Sequence, residues 1–417
     1  MDTIKESLKY VKLYLKVLLK WLLLATVIGT VCGGVGSLLY FCVELALEER
    51  ATHSWLLYLL PLAGLLIVES YHLLHMDEDG GTDLVLLSIR SRQKVPLSMA
   101  YLIFISTCLT QLCGGSAGRE GAALQIGGSL GHLIGKIFHM SEKDQTIITM
   151  CGMSAVFTAL FGTPLTATLF SMEVVSVGVF YYAALIPCLV ASLISQALAW
   201  ALGFTPLFYT VKIPAMEFLS FGRVAVLACL GALVSIVFCV LLRHGGRFFA
   251  KVIPNPWLRI FFGGIAIVLL TLALGTYDYN GLGLPVIGRA LAGEAVPTAF
   301  LWKILFTVIT IGVGFKGGEI VPTLFIGAVF GCCVGQWLGL PADFGAAIGL
   351  TSLFCAVVNC PISSIILSVE LFGGSGLLFF ALASAVSFML SGKYSLYHEQ
   401  KIVYSKIAAK FIDASTH

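Results

Sequence analysis

The sequence predicts an all-α polytopic membrane protein made of two related halves. Three observations carry this: very little charge, long apolar runs without Asp, Glu, Lys or Arg, and a glycine-rich motif that returns 200 residues later. Of 417 residues, 58% are apolar and 11% charged, where an ordinary soluble domain has roughly 25% charged residues. Mean hydropathy is +0.97. A row of soluble domains is excluded, because so apolar a surface needs lipid as its solvent. A net charge of +3 argues equally against nucleic acid as a partner.

Segments 21–43, 98–118, 145–172, 174–211, 260–277, 320–342 and 371–392 carry no formal charge. About 20 such residues span the hydrocarbon core as a helix. The longest runs must therefore fold into more than one segment, which predicts well over ten helices, several shorter than a full span. The alternation of a lipid-facing barrel is absent, so strands are not expected. Glycine pairs (Gly33-Gly34, Gly114-Gly115, Gly127-Gly128, Gly263-Gly264, Gly373-Gly374) predict close helix packing. Pro164, Pro322 and Pro361 lie in or beside apolar runs, where they start or break helices. Broken helices at membrane depth are tolerated where the freed backbone is buried or lines a polar cavity, as in a transporter or channel.

Lys5, Lys9, Lys12, Lys16 and Lys20 recur every three or four residues. This predicts an amphipathic helix over 1–20 at the membrane surface, with a cytoplasmic N-terminus in a cell membrane by the positive-inside tendency. Segment 21–43 is long enough to remain in the membrane rather than be cleaved as a signal. The first membrane repeat is placed at 21–211 and the second at 212–400. Residues 401–417 are expected to form a short basic cytoplasmic tail, with no regulatory domain. The 12 cysteines lack metal spacing and read as small buried hydrophobes. The eight histidines show no ligand spacing, so no metal or cofactor is expected.

The repeat pairs GGSAGREGAALQIGGSLGHLIG at 114–135 with GFKGGEIVPTLFIGAVFGCCVG at 314–335. A second block aligns Pro164, Ser171 and Glu173 with Pro361, Ser368 and Glu370, at an offset of 197. Two blocks in one order mean a duplicated half, parallel or inverted. In each copy a glycine-rich turn leads into a helix-like segment. A helix N-terminus offers free N–H groups and about half a positive charge, so two such ends meeting at one point suit a small anion.

Three motifs, GREG at 118–121, GGEIVP at 317–322 and GKYSLY at 392–397, resemble the anion-pathway motifs of the CLC chloride channels and transporters, over essentially the whole chain. The resemblance implies inverted repeats with tilted and broken helices and a homodimer, each subunit with its own pathway. By the same analogy the helices carrying Glu173 and Glu370 lie near the subunit contact. A fourth family motif, a Gly-Ser-Gly-Ile-Pro turn, falls loosely at 81–85, making Thr82 its central hydroxyl. Four departures are informative: Ala122 follows GREG where proline is usual, Glu319 stands where an apolar residue is usual, the central turn lacks its Ser and Pro, and Val174 occupies the place of the inner proton-transfer glutamate. Together they resemble the fluoride-exporting branch, whose members exchange fluoride for protons.

Glu120 is then the gating and proton-coupling acid. A carboxylate in an apolar segment costs a few kcal/mol, and at a helix N-terminus it can act as a tethered anion that vacates its site on protonation. Glu319 is a second proton carrier or selectivity group, since an ionised Glu319 would repel a nearby anion, or a structural acid. Gly118, Gly121, Gly318 and Ile320 are expected to act through backbone N–H groups, Arg119 by orienting the turn, and Tyr397 by its phenol. Thr82 offers a hydroxyl to the ion or a helix cap. Glu173 and Glu370 are expected to bond helix ends. The rivals are a chloride/proton antiporter or a passive chloride channel of the same fold and, from another class, an intramembrane enzyme. The last needs a nucleophile–base or metal constellation that the spans do not display.

Overall fold

The computed structural model describes residues 2–416 except 78, 92 and 409; of residues 2–5 and 7–9 the backbone alone is described. Among them lie 16 α-helices, eight per half. The first half runs α1 (Asp2–Thr52), α2 (Leu60–Leu73), α3 (Gly81–Ser91), α4 (Leu97–Leu112), α5 (Glu120–Ile137), α6 (Glu142–Phe161), α7 (Pro164–Glu173) and α8 (Leu185–Ala201). The second runs α9 (Phe218–Val252), α10 (Pro256–Leu274), α11 (Leu284–Leu291), α12 (Ala299–Gly312), α13 (Ile320–Trp337), α14 (Ala342–Val358), α15 (Pro361–Phe372) and α16 (Leu377–Leu390). Among the described residues seven helical segments are long and apolar enough to cross a membrane; the others are short, as the glycine and proline pattern requires. The halves are inverted structural repeats.

The surface expected at residue 20 is not marked by a break, because α1 continues unbroken to Thr52. Residues 10–20 are exposed and packing begins at Trp21. The side chains of Lys5 and Lys9 lie outside the described residues, as does His417. Lys20 pairs with Asp144 at 2.8 Å, at the start of α6. Thr146 of α6 reaches the Ile89 carbonyl, and Arg90 pairs with Glu399 at 3.3 Å. The beginning of α1 therefore lies on the same side as the C-terminal segment.

At the centre, α5 packs on α6 and α13 on α14, backbone against backbone. A Cβ on Gly127 would stand 2.3 Å from the Gly152 carbonyl oxygen, and one on Gly331 would stand 2.2 Å from that of Gly345. Without a hydrophobic drive between helices in lipid, such close approach is what holds them together. The outer helices instead turn large apolar residues outward, among them Leu66, Leu233 and Leu269, each 60% exposed.

The proline-started helices α7 and α15 lie antiparallel and cap each other. Glu173, ending α7, accepts from Ile362 N at 3.2 Å, Ser363 N at 2.9 Å and Ser363 Oγ at 2.6 Å, at the start of α15. Glu370 of α15 accepts from Leu165 N and Thr166 N, both at 2.9 Å, and Thr166 Oγ1 at 2.6 Å, at the start of α7. Each carboxylate satisfies orphan N–H groups that nothing in lipid could satisfy. Glu173→Ala and Glu370→Ala are each expected to lower stability by about 2 kcal/mol. The caps sit at opposite ends of a helix about 15 Å long, so the double variant should be additive in unfolding measurements in detergent.

The strand-free expectation is corrected at the end of the chain. β1 (Ser176–Val177) pairs in parallel with β2 (Lys401–Tyr404), which pairs antiparallel with β3 (Phe411–Ser415). The tail is thus folded back rather than free. Gln400, fully buried, donates to the carbonyls of Val174 at 2.9 Å and Val358 at 2.8 Å. Thr416 Oγ1 donates to the Tyr397 carbonyl at 2.7 Å. Strands of two to five residues leave too short an alternation to be legible beside apolar helices.

Candidate functional site

The turns before α5 and α13 meet as a reciprocal pair. Gly118 N donates to the Gly318 carbonyl at 2.6 Å and Gly318 N to the Gly118 carbonyl at 2.9 Å. Equivalent residues of the two repeats thus bond to one another, as a local twofold relation demands. Glu120 opens α5 here with no exposed surface. Its Oε2 accepts from Arg119 N at 2.7 Å and its Oε1 from Val321 N, in the first turn of α13, at 2.6 Å.

Two charge-assisted bonds of about 1.5–3 kcal/mol each offset an insertion cost of about 2.5–3.5 kcal/mol. The positive end of α13 adds to them. The glycines leave the room. A Cβ on Gly118 would lie 2.2 Å from Glu120 Oε1, one on Gly318 2.6 Å from Glu120 Cδ, and one on Gly121 2.8 Å from the Gly317 carbonyl oxygen.

Arg119 orients the turn, and the second-repeat N–H group lies one residue beyond the expected one. The Arg119 side chain points away from the carboxylate, donating to Glu44 Oε1 at 3.0 Å and the Leu160 carbonyl at 3.1 Å and lying 4.8 Å from the Tyr40 ring centre. It anchors the turn, and its backbone N–H contributes to the site. In the second repeat the N–H that reaches the carboxylate belongs to Val321, one residue beyond Ile320; the offset follows from the carboxylate reaching in from the other half.

Glu319, Tyr397 and Thr82 come together on the tail side, lining a cavity of about 430 Å³ with Gln125, Arg243 and His398. Thr82 Oγ1 accepts from Gln125 Nε2 at 3.4 Å, leaving Gln125 Oε1 buried without a partner among the described residues. Sequence reasoning missed Gln125; a lone amide within the apolar stretch 121–128 was the available signal. Lys316 closes one wall, paired with the buried Asp79 at 3.2 Å. Burial and the neighbouring Arg243 and Arg247 hold the His398 imidazole below the usual histidine range, so it adds no charge at neutral pH. On the opposite side a vestibule of about 520 Å³ is lined by Glu44, Arg50, Asn280 and Gly283.

Two helix N-termini closing on a tethered carboxylate between two vestibules define a membrane anion-transport protein. The chain belongs to the CLC family of channels and anion/proton antiporters: the family model for voltage-gated chloride channels matches residues 63–392. It is 34% identical over 382 residues to the chloride/fluoride channel protein of Pseudomonas syringae pv. tomato, covering 90% of this chain and 84% of that protein. A crystal structure of a CLC-type fluoride/proton antiporter superposes with a TM-score of 0.89 at 31% identity, over 92% of this chain and 98% of the other. The crystal structure of a slow cyanobacterial chloride/proton antiporter shares the fold, with a TM-score of 0.79 at 19% identity over 89% and 94% of the two chains.

Proposed function

We propose that this protein exports fluoride in exchange for protons across the plasma membrane, as a homodimer with a cytoplasmic N-terminus. The carrying observation is the Glu120 carboxylate seated on backbone N–H groups from both repeats. In that position it occupies the anion's place. Protonation removes its charge and weakens both bonds; the neutral side chain leaves and an anion takes the N–H groups. Its return with a lost proton expels the anion, so one group exchanges the two species.

Glu319, at the start of α13 and on the tail-side cavity, supplies a second acid between Glu120 and the cytoplasm, where Val174 offers none. The relatives described as fluoride-handling support fluoride as the substrate. The basic residues Lys20, Arg90, Arg243 and Arg247 on the tail side support its cytoplasmic placement.

Side-by-side efflux from proteoliposomes tests the reading. Fluoride efflux is expected to exceed chloride efflux at least about tenfold, a difference of about 1.4 kcal/mol, with matching proton movement in the lumen. Chloride efflux at an equal rate would overturn the fluoride assignment. Anion flux without proton movement would favour a passive channel, the reading that Val174 supports.

A further inference from the structure

Lys303 on α12 is a fully buried cation in a part of the chain where insertion costs about 2.5–3.5 kcal/mol. Among the described residues no carboxylate is bonded to it. Its ammonium carries three protons and meets two protein acceptors, the carbonyls of Gly281 at 2.7 Å and Tyr279 at 3.2 Å. The Phe325 ring centre lies 5.3 Å away. The Glu120 carboxylate acts on it through space without a bond, so the charge has room for a nearer counter-ion.

The surroundings indicate where one would come from. Gly283 lines the outer vestibule, and a Cβ built on it would lie 3.5 Å from Lys303 Nζ, with the Phe325 ring beside it, so the ammonium lies just behind the vestibule wall. Arg50 backs the same floor: a Cβ on Gly281 would lie 2.5 Å from its Nη1, and this group donates to the Gln111 carbonyl at 3.1 Å.

In the other direction Thr307, one turn along the same face of α12, bonds Ser116 Oγ at 3.1 Å, and Thr310 Oγ1 accepts from Ser116 N at 3.1 Å. Ser116 is two residues from Gly118. A buried polar column therefore joins the vestibule floor to the turn that presents Glu120. Beside it, Gly115 lies between Thr110 and Thr310, with a built Cβ 2.6 Å and 3.2 Å from their Cγ2 atoms. Thr107 and Thr110 of α4 are fully buried, and their hydroxyls have no partner among the described residues. An unpartnered Thr110 hydroxyl in a residue beside this column, and a buried ammonium with no carboxylate bonded to it among the described residues, both suit a small negative species.

We propose that Lys303 holds a small inorganic anion in transit between the outer vestibule and the Glu120 site, with the Thr110 hydroxyl beside its route. The proposal rests on the anion-transport reading above. It adds a second station, so an anion expelled by the returning carboxylate has a charged resting place before it reaches water.

Anion flux against concentration in proteoliposomes, with fluoride and with chloride, is the test. A wild-type protein that carries neither would overturn the transport reading and this proposal with it. With an active wild type, Lys303→Met is expected to raise the half-saturating anion concentration about tenfold, with the maximal rate within about twofold. Lys303→Arg should restore most of the affinity. An unchanged half-saturation, or a maximal rate that falls while half-saturation stays, would overturn the proposal and leave Lys303 as a tie between α12 and the 276–283 loop. Should Lys303→Met not give monodisperse protein, Thr110→Val, which exchanges one hydroxyl for a methyl, is expected to raise half-saturation about threefold. No change in that variant would overturn the proposal as well.

Discussion

Glu120→Gln is expected to sever proton movement from anion movement. The amide keeps the size of the carboxyl group but has a fixed neutral charge and a single acceptor oxygen. One of the two N–H groups now held, Arg119 N or Val321 N, would face an NH₂ and lose its bond. The variant thus mimics the protonated state permanently, and an anion competes for the helix ends against a neutral side chain. Lumen pH and fluoride efflux recorded together should show anion flux with proton movement below detection. A variant that still moves protons in step with fluoride would remove Glu120 from the coupling mechanism, whatever its position.

Gly331→Leu is expected to abolish folded protein. A Cβ at this position would meet the Gly345 carbonyl oxygen at 2.2 Å and the Gly349 Cα at 2.7 Å. Both are backbone atoms of α14 and cannot rotate away. The α13–α14 pair would have to separate, forfeiting the close contact along Gly327, Gly331 and Gly335. Overpacking costs up to about 3 kcal/mol in cores whose side chains can yield, and here the obstacle is main chain. Gly222→Ala on α9 is the control, because a Cβ there meets nothing within 4 Å; it should be neutral or slightly stabilising, since alanine favours helix. Size-exclusion profiles and thermal unfolding in detergent compare the two. A monodisperse Gly331→Leu with wild-type stability would contradict the packing argument.

Much of the fold was legible because lipid makes one demand on every segment. A chain with so few charges and no barrel alternation has to satisfy its backbone within helices, and duplicated glycine-rich blocks require two equivalent halves. The same blocks named Gly118, Glu120 and Gly318, since an acid beside glycines in an apolar run has few other uses. The C-terminal sheet was hidden, because strands this short carry no periodicity of their own. The reach of Glu120 to Val321 N and the turning of Arg119 towards Glu44 were hidden too, being contacts between residues 201 and 75 positions apart.

By itself the amino-acid sequence determined the solvent, the helical class, the duplication and the identity of the acid at the turn, because these follow from composition and from local spacing. Only the tertiary structure decided that the two turns pair through Gly118 and Gly318, that Glu173 and Glu370 cap each other's helices, and that Lys303 is buried with no carboxylate bonded to it among the described residues. The first two depend on where segments some 200 residues apart come to rest and the third on how α12 packs against a loop more than 20 residues away; the energy of a hydrogen bond or a buried charge is set by distance in space rather than by order along the chain.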